Sequence, residues 1–429
     1  MPEYNKMSSQ EKKAEFEKIK AEYEYYKSCG LKLDMSRGKP ATEQYSISDG
    51  LLQNGVGYDY FDAAGNDTRN YGELCGIMEM REIFGAMLGV PSANVIIGGN
   101  SSLNLMYDTI SRAYTHGMPH SEKPWGKYEK IKFICLTPGY DRHFAVTEHF
   151  GAELIAIPLN EDGPDMDAVE KLVLSDECVK GIWCVPIYSN PTGCVYSNEV
   201  IHRLAFMKCA APDFTIMWDN AYGVHSLYGE PPVIANILKE CAKAGNPDRV
   251  IEFASTSKIT YSGAGISCIA GSDATIDAIK KSMTIQTIGY DKVNQLLHAR
   301  FIKNIDNLHA IMRKQAGYLR PKFDMVSSEL ESGLAGTGIA KWSHPQGGYF
   351  VSLDVLNSSA KRVVKLCGDA GVKLTPAGAA FPYGNDPNDM NIRIAPSYPT
   401  IDELRTACRL LCISVKLAWL EHACSNTVD

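Results

Sequence analysis

The sequence feature that most constrains the fold is an alternation of short apolar runs with longer helix-like segments. "NVIIGG" precedes "SSLNLMYDTISRAY", "IKFICLTPG" precedes "YDRHFAVTEHFGA", and "LIAIPL" precedes "DMDAVEKLVLS". The apolar runs have strand length and do not alternate polar with apolar residues, which is typical of strands covered on both faces. The pattern therefore predicts an α/β fold with one large, mostly parallel sheet wrapped by helices.

The chain also predicts a second, smaller body. Its 429 residues exceed the usual single domain of ~100 to 200 residues. An amphipathic helix is expected at about residues 9 to 28, and a long helical stretch at about 291 to 331. In the carboxyl-terminal part, Thr400 and Glu403 have the spacing of a capping box that opens the last helix. The predicted domains are residues 1–50 (helix and arm packing with the small domain), 51–300 (large domain) and 301–429 (linking helix and small α+β domain).

Composition restricts the partners. The net charge of -7 argues against a nucleic-acid binder, which would normally carry a basic field. The thirteen cysteines lie in apolar segments such as "GIWCVP", as expected of buried thiols in a reducing cytosol. The charged amino-terminal segment has no apolar signal-peptide core, and no run reaches the ~18 apolar residues that span a bilayer. We expect a soluble cytoplasmic protein with a small-molecule partner.

Two pairs of side chains could chelate a metal, but both have a simpler interpretation. Cys408 and Cys412 are four residues apart on a predicted helix, where core packing is favoured. His116 and His120 flank Gly and Pro, which indicates a surface loop. No metal site is predicted.

Polar side chains stand at four predicted strand ends, where open parallel sheets bind ligands. They are an amide, a carboxylate with a nearby phenol, a lysine among serines, and a Gly-Asn-Ser-Ser turn that opens a helix. In chain numbering these are Asn190, Asp219 with Tyr222, Lys258 with Ser255, and Asn100, Ser101 and Ser102 after Gly99.

Each strand end suits one part of a single ligand. A helix amino terminus with hydroxyl groups binds phosphate. A buried carboxylate such as Asp219 needs a cationic partner, and a protonated ring nitrogen would serve. A desolvated lysine has a lowered pKa and can form a Schiff base with an aldehyde. Alone, Lys258 could be a solvated surface charge like Lys280 and Lys281; together, the four ends predict pyridoxal phosphate.

At this point the chain resembles the aspartate aminotransferase superfamily of pyridoxal-phosphate enzymes, fold type I. The motifs that carry the resemblance are "SRGKP", "NYGEL", "GGNSSL", "PGYDRHF", "YSNPTG", "WDNAYGVH", "STSKIT" and "NIRIAPS". "PGYDRHF" and "STSKITYSGAGIS" are similar to the bacterial branch called subgroup Ic. The resemblance implies a seven-stranded sheet in the large domain, a small α+β domain and a homodimer with shared active sites.

The resemblance also implies roles for individual residues. Lys258 would bond to the cofactor aldehyde and later carry the substrate proton, and Asp219 would keep the pyridine nitrogen protonated. The other cofactor contacts that it implies are Asn190 and Tyr222 at the phenolate oxygen, Tyr140 on the ring face, His143 behind Asp219, Gly99, Asn100, Ser101 and Ser255 at the phosphate, and Tyr71 at the phosphate of the neighbouring subunit. Arg393 would hold the substrate carboxylate, with Gly38 and Asn190 beside it.

One position departs from the family. Most relatives carry an arginine eight residues after the lysine to neutralise the phosphate, and this chain has Ile266 there. The phosphate is then expected to depend on hydroxyls, backbone amides and the helix dipole, or on a cation that the sequence does not place.

The expected reaction is transamination of an L-amino acid, aspartate or glutamate, with a 2-oxo acid such as 2-oxoglutarate. Arg37 and Lys292 are candidates for the second cation that a dicarboxylate needs, although either could be a surface charge. Two alternatives stay open: a carbon-sulfur lyase of the β-eliminating type, and a non-catalytic module that senses pyridoxal phosphate. The sequence shows no helix-turn-helix extension, which disfavours a regulator.

Overall fold

The computed structural model describes residues 3–53, 57 and 59–425. The strands are β1 (Leu33–Asp34), β2 (Val95–Ile97), β3 (Lys132–Thr137), β4 (Glu153–Asn160), β5 (Gly163–Pro164), β6 (Val179–Cys184), β7 (Thr215–Asp219), β8 (Val250–Ser255), β9 (Ser267–Ala270), β10 (Ala340–Trp342), β11 (Val351–Val355), β12 (Val372–Lys373) and β13 (Asn391–Ile394). The helices are α1 (Ser9–Ser28), α2 (Thr42–Tyr45), α3 (Gly50–Gln53), α4 (Met78–Leu88), α5 (Ser102–His116), α6 (Asp141–His149), α7 (Met166–Ser175), α8 (Asn198–Phe206), α9 (Ile237–Lys243), α10 (Asp273–Gln286), α11 (Lys292–Ile302), α12 (Ile305–Leu334), α13 (Ala360–Asp369) and α14 (Ile401–Ser425).

The large sheet has the strand order β2-β9-β8-β7-β6-β3-β4-β5. Neighbours from β8 to β4 pair in parallel, whereas β9 is antiparallel to both of its neighbours and β5 is antiparallel to β4. The prediction of a mostly parallel, helix-wrapped sheet is confirmed. The sheet has eight strands rather than seven, because β4 turns back through a short hairpin whose second arm, β5, is only two residues long.

Strands β3, β6, β7 and β8 are buried on both faces, which explains their unbroken apolar runs, whereas β4 near the edge has exposed residues. In β6, Ile182 packs into one apolar cluster and Trp183 into another. In β7, Ile216 packs into the same cluster as Ile182, and Met217 into the same cluster as Trp183. Successive side chains of a strand point to opposite faces, so each face has its own apolar cluster. Alternation is absent because neither face meets water.

A separate apolar cluster surrounds the antiparallel sheet β10-β11-β13 and the helices α13 and α14. Amino-terminal side chains such as Ile19 and Met35 pack into it, and β1 pairs in parallel with β12. Helix α12 joins the two parts, since Leu308 packs with the large sheet's residues and Leu330 with the small sheet's. This packing supports the predicted assignment of residues 1–50 to the small domain, and the boundaries near 50 and 300 stay a prediction.

The predicted first helix is confirmed as α1, and the capping box at the last helix is present between Thr400 and Glu403. The long helical stretch predicted at about 291 to 331 is confirmed, and it consists of two helices, α11 and α12. Lys303 between them has a φ of 65°, and the Asn304 side chain accepts a hydrogen bond from the Asn307 N–H and so caps α12. A left-handed residue followed by a strong cap ends one helix and starts the next.

The candidate chelating pairs lie apart from the strand ends. Cys408 and Cys412 are buried in α14, where burial raises the thiol pKa of Cys412 to about 12. His116 is the last residue of α5, and His120 lies 2.9 Å from the Asp248 carboxylate. Among the helices that the structure describes, none is both long enough and apolar enough to cross a membrane.

Candidate active site

A cavity of about 510 Å³ opens at the carboxyl ends of the parallel strands. Most of the residues predicted to form a site line this one cavity. They are Gly38, Ser101, Tyr140, Asn190, Asp219, Tyr222, Ser255, Lys258 and Arg393, together with Arg37. The sheet topology explains the convergence, because parallel strands end at the same edge and β7 and β8 are neighbours.

Asp219 is the last residue of β7, and its side chain is buried. Its Oδ2 atom lies 2.9 Å from Nε2 of His143, and its Oδ1 atom is buried without a hydrogen-bond partner among the described residues. His143 is itself fixed by a parallel stack on Trp183, with the ring centroids 4.4 Å apart. A buried carboxylate oxygen normally has a partner, so Oδ1 is suited to a hydrogen-bond donor of a bound ligand.

Lys258 lies in the turn that follows β8, and its amine faces two aromatic rings. Nζ is 5.1 Å from the ring centre of Tyr222 and 5.9 Å from that of Tyr349. Desolvation by these surroundings lowers the pKa of the Lys258 amine, and the charge of Asp219 opposes this shift only in part. The amine is therefore uncharged more often than an exposed lysine would be, as covalent bonding to a carbonyl group requires.

Asn190 and Arg393 meet on the opposite side of the cavity. Nη1 of Arg393 donates to Oδ1 of Asp141 at 3.0 Å and lies 3.4 Å from Oδ1 of Asn190. Nε of Arg393 is buried without a partner in the described chain. The guanidinium therefore keeps a free donor edge for a carboxylate.

The prediction that Asn190 ends a strand is wrong in detail. Strand β6 ends at Cys184, and Asn190 lies on the loop that follows. Pro186 has no N–H group to continue the sheet ladder, which ends the strand early. The loop nevertheless brings Asn190 to the cavity.

Gly38 approaches the cavity from the amino-terminal segment, and its lack of a side chain is a steric requirement. A Cβ atom at Gly38 would overlap Cζ of the Phe350 ring. Phe350 in turn packs against Arg393, whose Cζ is 5.0 Å from the ring centre. Gly38, Phe350 and Arg393 thus form one stacked wall of the cavity.

The predicted phosphate end is built from hydroxyl groups. The Ser101 side chain caps α5 by accepting from the Leu103 N–H, and the Oγ atoms of Ser255 and Ser257 are 2.9 Å apart. Ser102 and Ser257 also line the cavity; Ser102 belongs to the Gly-Asn-Ser-Ser turn predicted to hold the phosphate, whereas Ser257 was not predicted.

Two other residues predicted near the phosphate, Gly99 and Asn100, do not line the cavity. The Gly99 carbonyl accepts from Ser267, and the Asn100 side chain donates to the Gly263 carbonyl at 3.3 Å. Ile266 is buried in an apolar cluster and supplies no charge to the phosphate. The expectation that hydroxyl groups replace the missing arginine stays a prediction.

Tyr71 and Lys292 lie in a separate surface depression. The Tyr71 side chain is 83% exposed. Lys292 is buried, and its Nζ donates to the carbonyls of Asn70 at 2.6 Å and Gly72 at 2.9 Å. Lys292 is therefore neither the surface charge nor the cavity cation that the sequence suggested; it holds the segment that presents Tyr71.

The residues of the cavity fit pyridoxal phosphate. The free Oδ1 of Asp219 suits a protonated ring nitrogen, the Lys258 amine suits an aldehyde, and the serine-lined end with the amino terminus of α5 suits a phosphate. Arg393 then remains for a substrate carboxylate.

Comparisons with known proteins agree with this geometry. The sequence profile of the aspartate amino-transferase family matches residues 7–426. An aspartate aminotransferase of Corynebacterium glutamicum is 48% identical over 406 residues, which cover 95% of this chain and 94% of that protein.

Solved structures show the same similarity. The crystal structure of an aspartate transaminase from Corynebacterium glutamicum superposes with a TM-score of 0.96 at 46% identity, covering 98% of this chain and 99% of that one. An α-aminoadipate aminotransferase from Thermus thermophilus, solved with N-(5'-phosphopyridoxyl)-L-leucine, has a TM-score of 0.73 at 17% identity and covers 92% and 94% of the two chains. The second similarity concerns the fold alone.

Proposed function

The chain belongs to the aspartate aminotransferase family and is an aminotransferase, and on this premise we propose that it binds pyridoxal 5'-phosphate through Lys258. We propose that it exchanges amino groups between aspartate or glutamate and a 2-oxo acid such as 2-oxoglutarate. The relative of 48% identity is named an aspartate aminotransferase, which supports the choice of substrate.

The observation that carries the proposal is the convergence of three groups on one cavity. Lys258, Asp219 and Arg393 come from distant parts of the chain and line the same space of about 510 Å³. A lysine of lowered pKa, a carboxylate with one free oxygen and an arginine with a free edge match an aldehyde, a ring nitrogen and a carboxylate. Packing alone does not require this combination, since each buried charge costs desolvation free energy.

The roles of the chain's residues follow from their positions. Pyridoxal phosphate, when bound, supplies an electron sink for the pair left on the substrate's α-carbon when its proton leaves. Asp219 maintains the positive charge on the ring nitrogen, with His143 orienting its carboxylate. Arg393 holds the α-carboxylate and so favours loss of the α-proton over loss of the carboxyl group. The Lys258 amine accepts that proton and then donates it to the cofactor carbon next to the substrate nitrogen. The lowered pKa of the amine favours this role.

We propose that the enzyme is a homodimer with shared sites. An aromatic side chain that is 83% exposed, as Tyr71 is, gains from a partner surface, and Lys292 holds the carbonyls on both sides of it. Cytoplasmic localisation is also a proposal, supported by buried cysteines such as Cys135, Cys184 and Cys268, which are free thiols.

A half-reaction screen tests the function. Amino acids are added one at a time to the holoenzyme without a 2-oxo acid, and the absorbance of the lysine-bound cofactor is followed together with the 2-oxo acid product. Aspartate should give oxaloacetate and glutamate 2-oxoglutarate, each in one equivalent per site. Catalytic release of pyruvate and ammonia from a β-substituted amino acid would instead identify a β-eliminating lyase. No reaction with any amino acid would refute transamination.

A further inference from the structure

The cavity contains a cationic side chain that the roles above leave unused. Resting on the proposed function, we propose that Arg142 binds the side-chain carboxylate of a dicarboxylic amino acid and thereby determines substrate specificity. It lines the cavity beside Asp141, the partner of Arg393. Arg393 and Arg142 would then hold the two carboxylates of one substrate.

The charge of the cavity favours a substrate with two negative groups. Six basic side chains line it, and the five other than Lys258 outnumber the two carboxylates, Asp141 and Asp219, in a chain whose net charge is -7. The basic residues are Arg37, Lys39, Arg142, Lys258, Lys373 and Arg393. The cofactor phosphate can neutralise no more than two of these charges, so positive charge remains to attract an anionic substrate. An amino acid with a neutral side chain carries one carboxylate and would leave this charge unmatched.

Four of the six cations already have an interaction or a role. Lys258 is the covalent anchor, and Arg393 contacts Asp141 and Asn190. The Lys39 amine lies 3.6 Å from the ring centre of Tyr398. Lys373 of β12 lies opposite Asp34 of β1 in the paired strands, where opposite charges attract. Within the described residues, this leaves Arg37 and Arg142 without an ion pair or side-chain hydrogen bond.

Arg142 is better placed than Arg37 to bind the side-chain carboxylate of the substrate. It is on the first turn of α6, one residue after Asp141 and one before His143, both of which are fixed by bonds to cavity residues. Burial raises the pKa of Tyr140 to about 12, and the charges of Arg142 and Arg393 both oppose this rise, so both guanidinium groups act on the same phenol. Arg37 is exposed on an irregular segment, and a side chain on a helix is positioned more firmly than one on a loop.

The chemistry of the group also fits. A guanidinium offers a planar pair of donors that matches a carboxylate at two points, and the amino terminus of α6 adds partial positive charge. Arg142 lines the cavity and is solvent-exposed, so its guanidinium can be reached by a substrate that enters. The substrate class is therefore an amino acid with a carboxylate at the end of a short side chain.

The test compares aspartate with alanine, which lacks the second carboxylate, in the half-reaction of the holoenzyme. Arg142→Gln should lower kcat/KM for aspartate roughly 100-fold, as expected for the loss of a charge-assisted pair, and leave alanine unchanged. Arg142→Lys should restore part of the loss, because it keeps the charge without the two-point geometry. Arg313→Gln is the matched control, since Arg313 is exposed on α12 without an ion pair in the described chain.

A binding measurement separates recognition from turnover. Calorimetric titration of the holoenzyme with succinate, a dicarboxylate without an amino group, should show weaker binding to Arg142→Gln than to the wild type. Equal losses with aspartate and alanine, no loss with either, or a selective loss in Arg37→Gln instead would overturn the assignment to Arg142. The two proposals fail differently: a wild-type enzyme that does not react with aspartate or glutamate refutes the proposed substrates, whereas normal aspartate turnover in Arg142→Gln refutes only this inference.

Discussion

The Nε2 atom of His143 lies 2.9 Å from Oδ2 of Asp219, and the other carboxylate oxygen of Asp219 is buried without a partner in the described chain. One oxygen is thus used to orient the carboxylate and the other is left for a ligand. The stack of His143 on Trp183 fixes the imidazole in turn. The three side chains form a support that aims Oδ1 into the cavity.

This relationship predicts unequal effects of two substitutions. Asp219→Asn removes the negative charge that keeps a ring nitrogen protonated, and the half-reaction rate should fall by about 100-fold or more. His143→Phe keeps the stack on Trp183 but removes one hydrogen bond to the carboxylate, so the loss should be about tenfold. Stopped-flow absorbance measures both rates. Equal losses would show that His143 does more than orient Asp219.

The lowered pKa of Lys258 predicts a pH-dependent cost in stability. In the unfolded chain the amine holds its proton up to its ordinary pKa of about 10.4, whereas the folded apoprotein binds it less tightly. Between the lowered pKa of the folded state and the ordinary pKa of the unfolded chain, the unfolded state binds more protons, so the free energy of unfolding rises with pH in that window. Lys258→Met removes this dependence. The variant apoprotein should be more stable than the wild type at pH 7, by a margin that shrinks toward pH ~10.

Urea unfolding of the wild-type and Lys258→Met apoproteins at several pH values measures the difference in their free energies of unfolding. A margin that stays constant with pH would contradict a depressed pKa at Lys258. A wild-type apoprotein more stable than Lys258→Met at neutral pH would contradict it as well.

Gly38 predicts an effect on substrate binding through Phe350. A Cβ atom at Gly38 would overlap the Phe350 ring, which supports Arg393. Overpacking of this kind costs about 1–3 kcal/mol, and the displaced ring should disturb the guanidinium. Gly38→Ala should therefore raise KM for the amino acid more than it lowers kcat, as steady-state kinetics can show. Gly317→Ala on α12, where an added Cβ has no neighbour within 4 Å, is the control and should leave both constants unchanged.

The hydrogen bonds of the buried Lys292 amine predict that this residue holds the segment that carries the exposed Tyr71. Lys292→Met leaves the carbonyls of Asn70 and Gly72 without their donor, which should lower the free energy of unfolding by about 1–3 kcal/mol. If Tyr71 contacts the cofactor of a partner, titration of the apoprotein with pyridoxal phosphate should also show weaker binding, and Tyr71→Phe should weaken binding without loss of stability. Lys281→Met, at an exposed position of α10, should change neither property. Normal stability in Lys292→Met would contradict a structural role.

The sequence was informative where a residue stands directly at a strand end. Asp219 ends β7 and Ser255 ends β8, so strand length and polarity sufficed to place them at the cavity. Asn190 reached the same cavity by a loop after β6, and loop paths depend on contacts that strand patterns do not encode. The break at Lys303 was missed because helical periodicity continues on both sides of it.

Charged side chains were the least predictable. Lys292 and Arg142 have similar polar neighbours in the sequence, yet one is buried against carbonyl groups and the other faces the cavity. Their roles depend on segments distant in the chain, such as Asn70 for Lys292, and a single sequence does not reveal those contacts. Ser257 was not predicted, because the sequence motif around it was interpreted through Lys258 alone.

The central claim is that the Lys258 amine bonds to the aldehyde carbon of pyridoxal phosphate. The direct measurement is reduction of the holoenzyme with borohydride, which makes that bond permanent, followed by digestion and peptide mass spectrometry. The account predicts a phosphopyridoxyl group on the peptide that contains Lys258 and on no other lysine at comparable yield. A label on another residue, or a protein that binds the cofactor and carries no label after reduction, would contradict it.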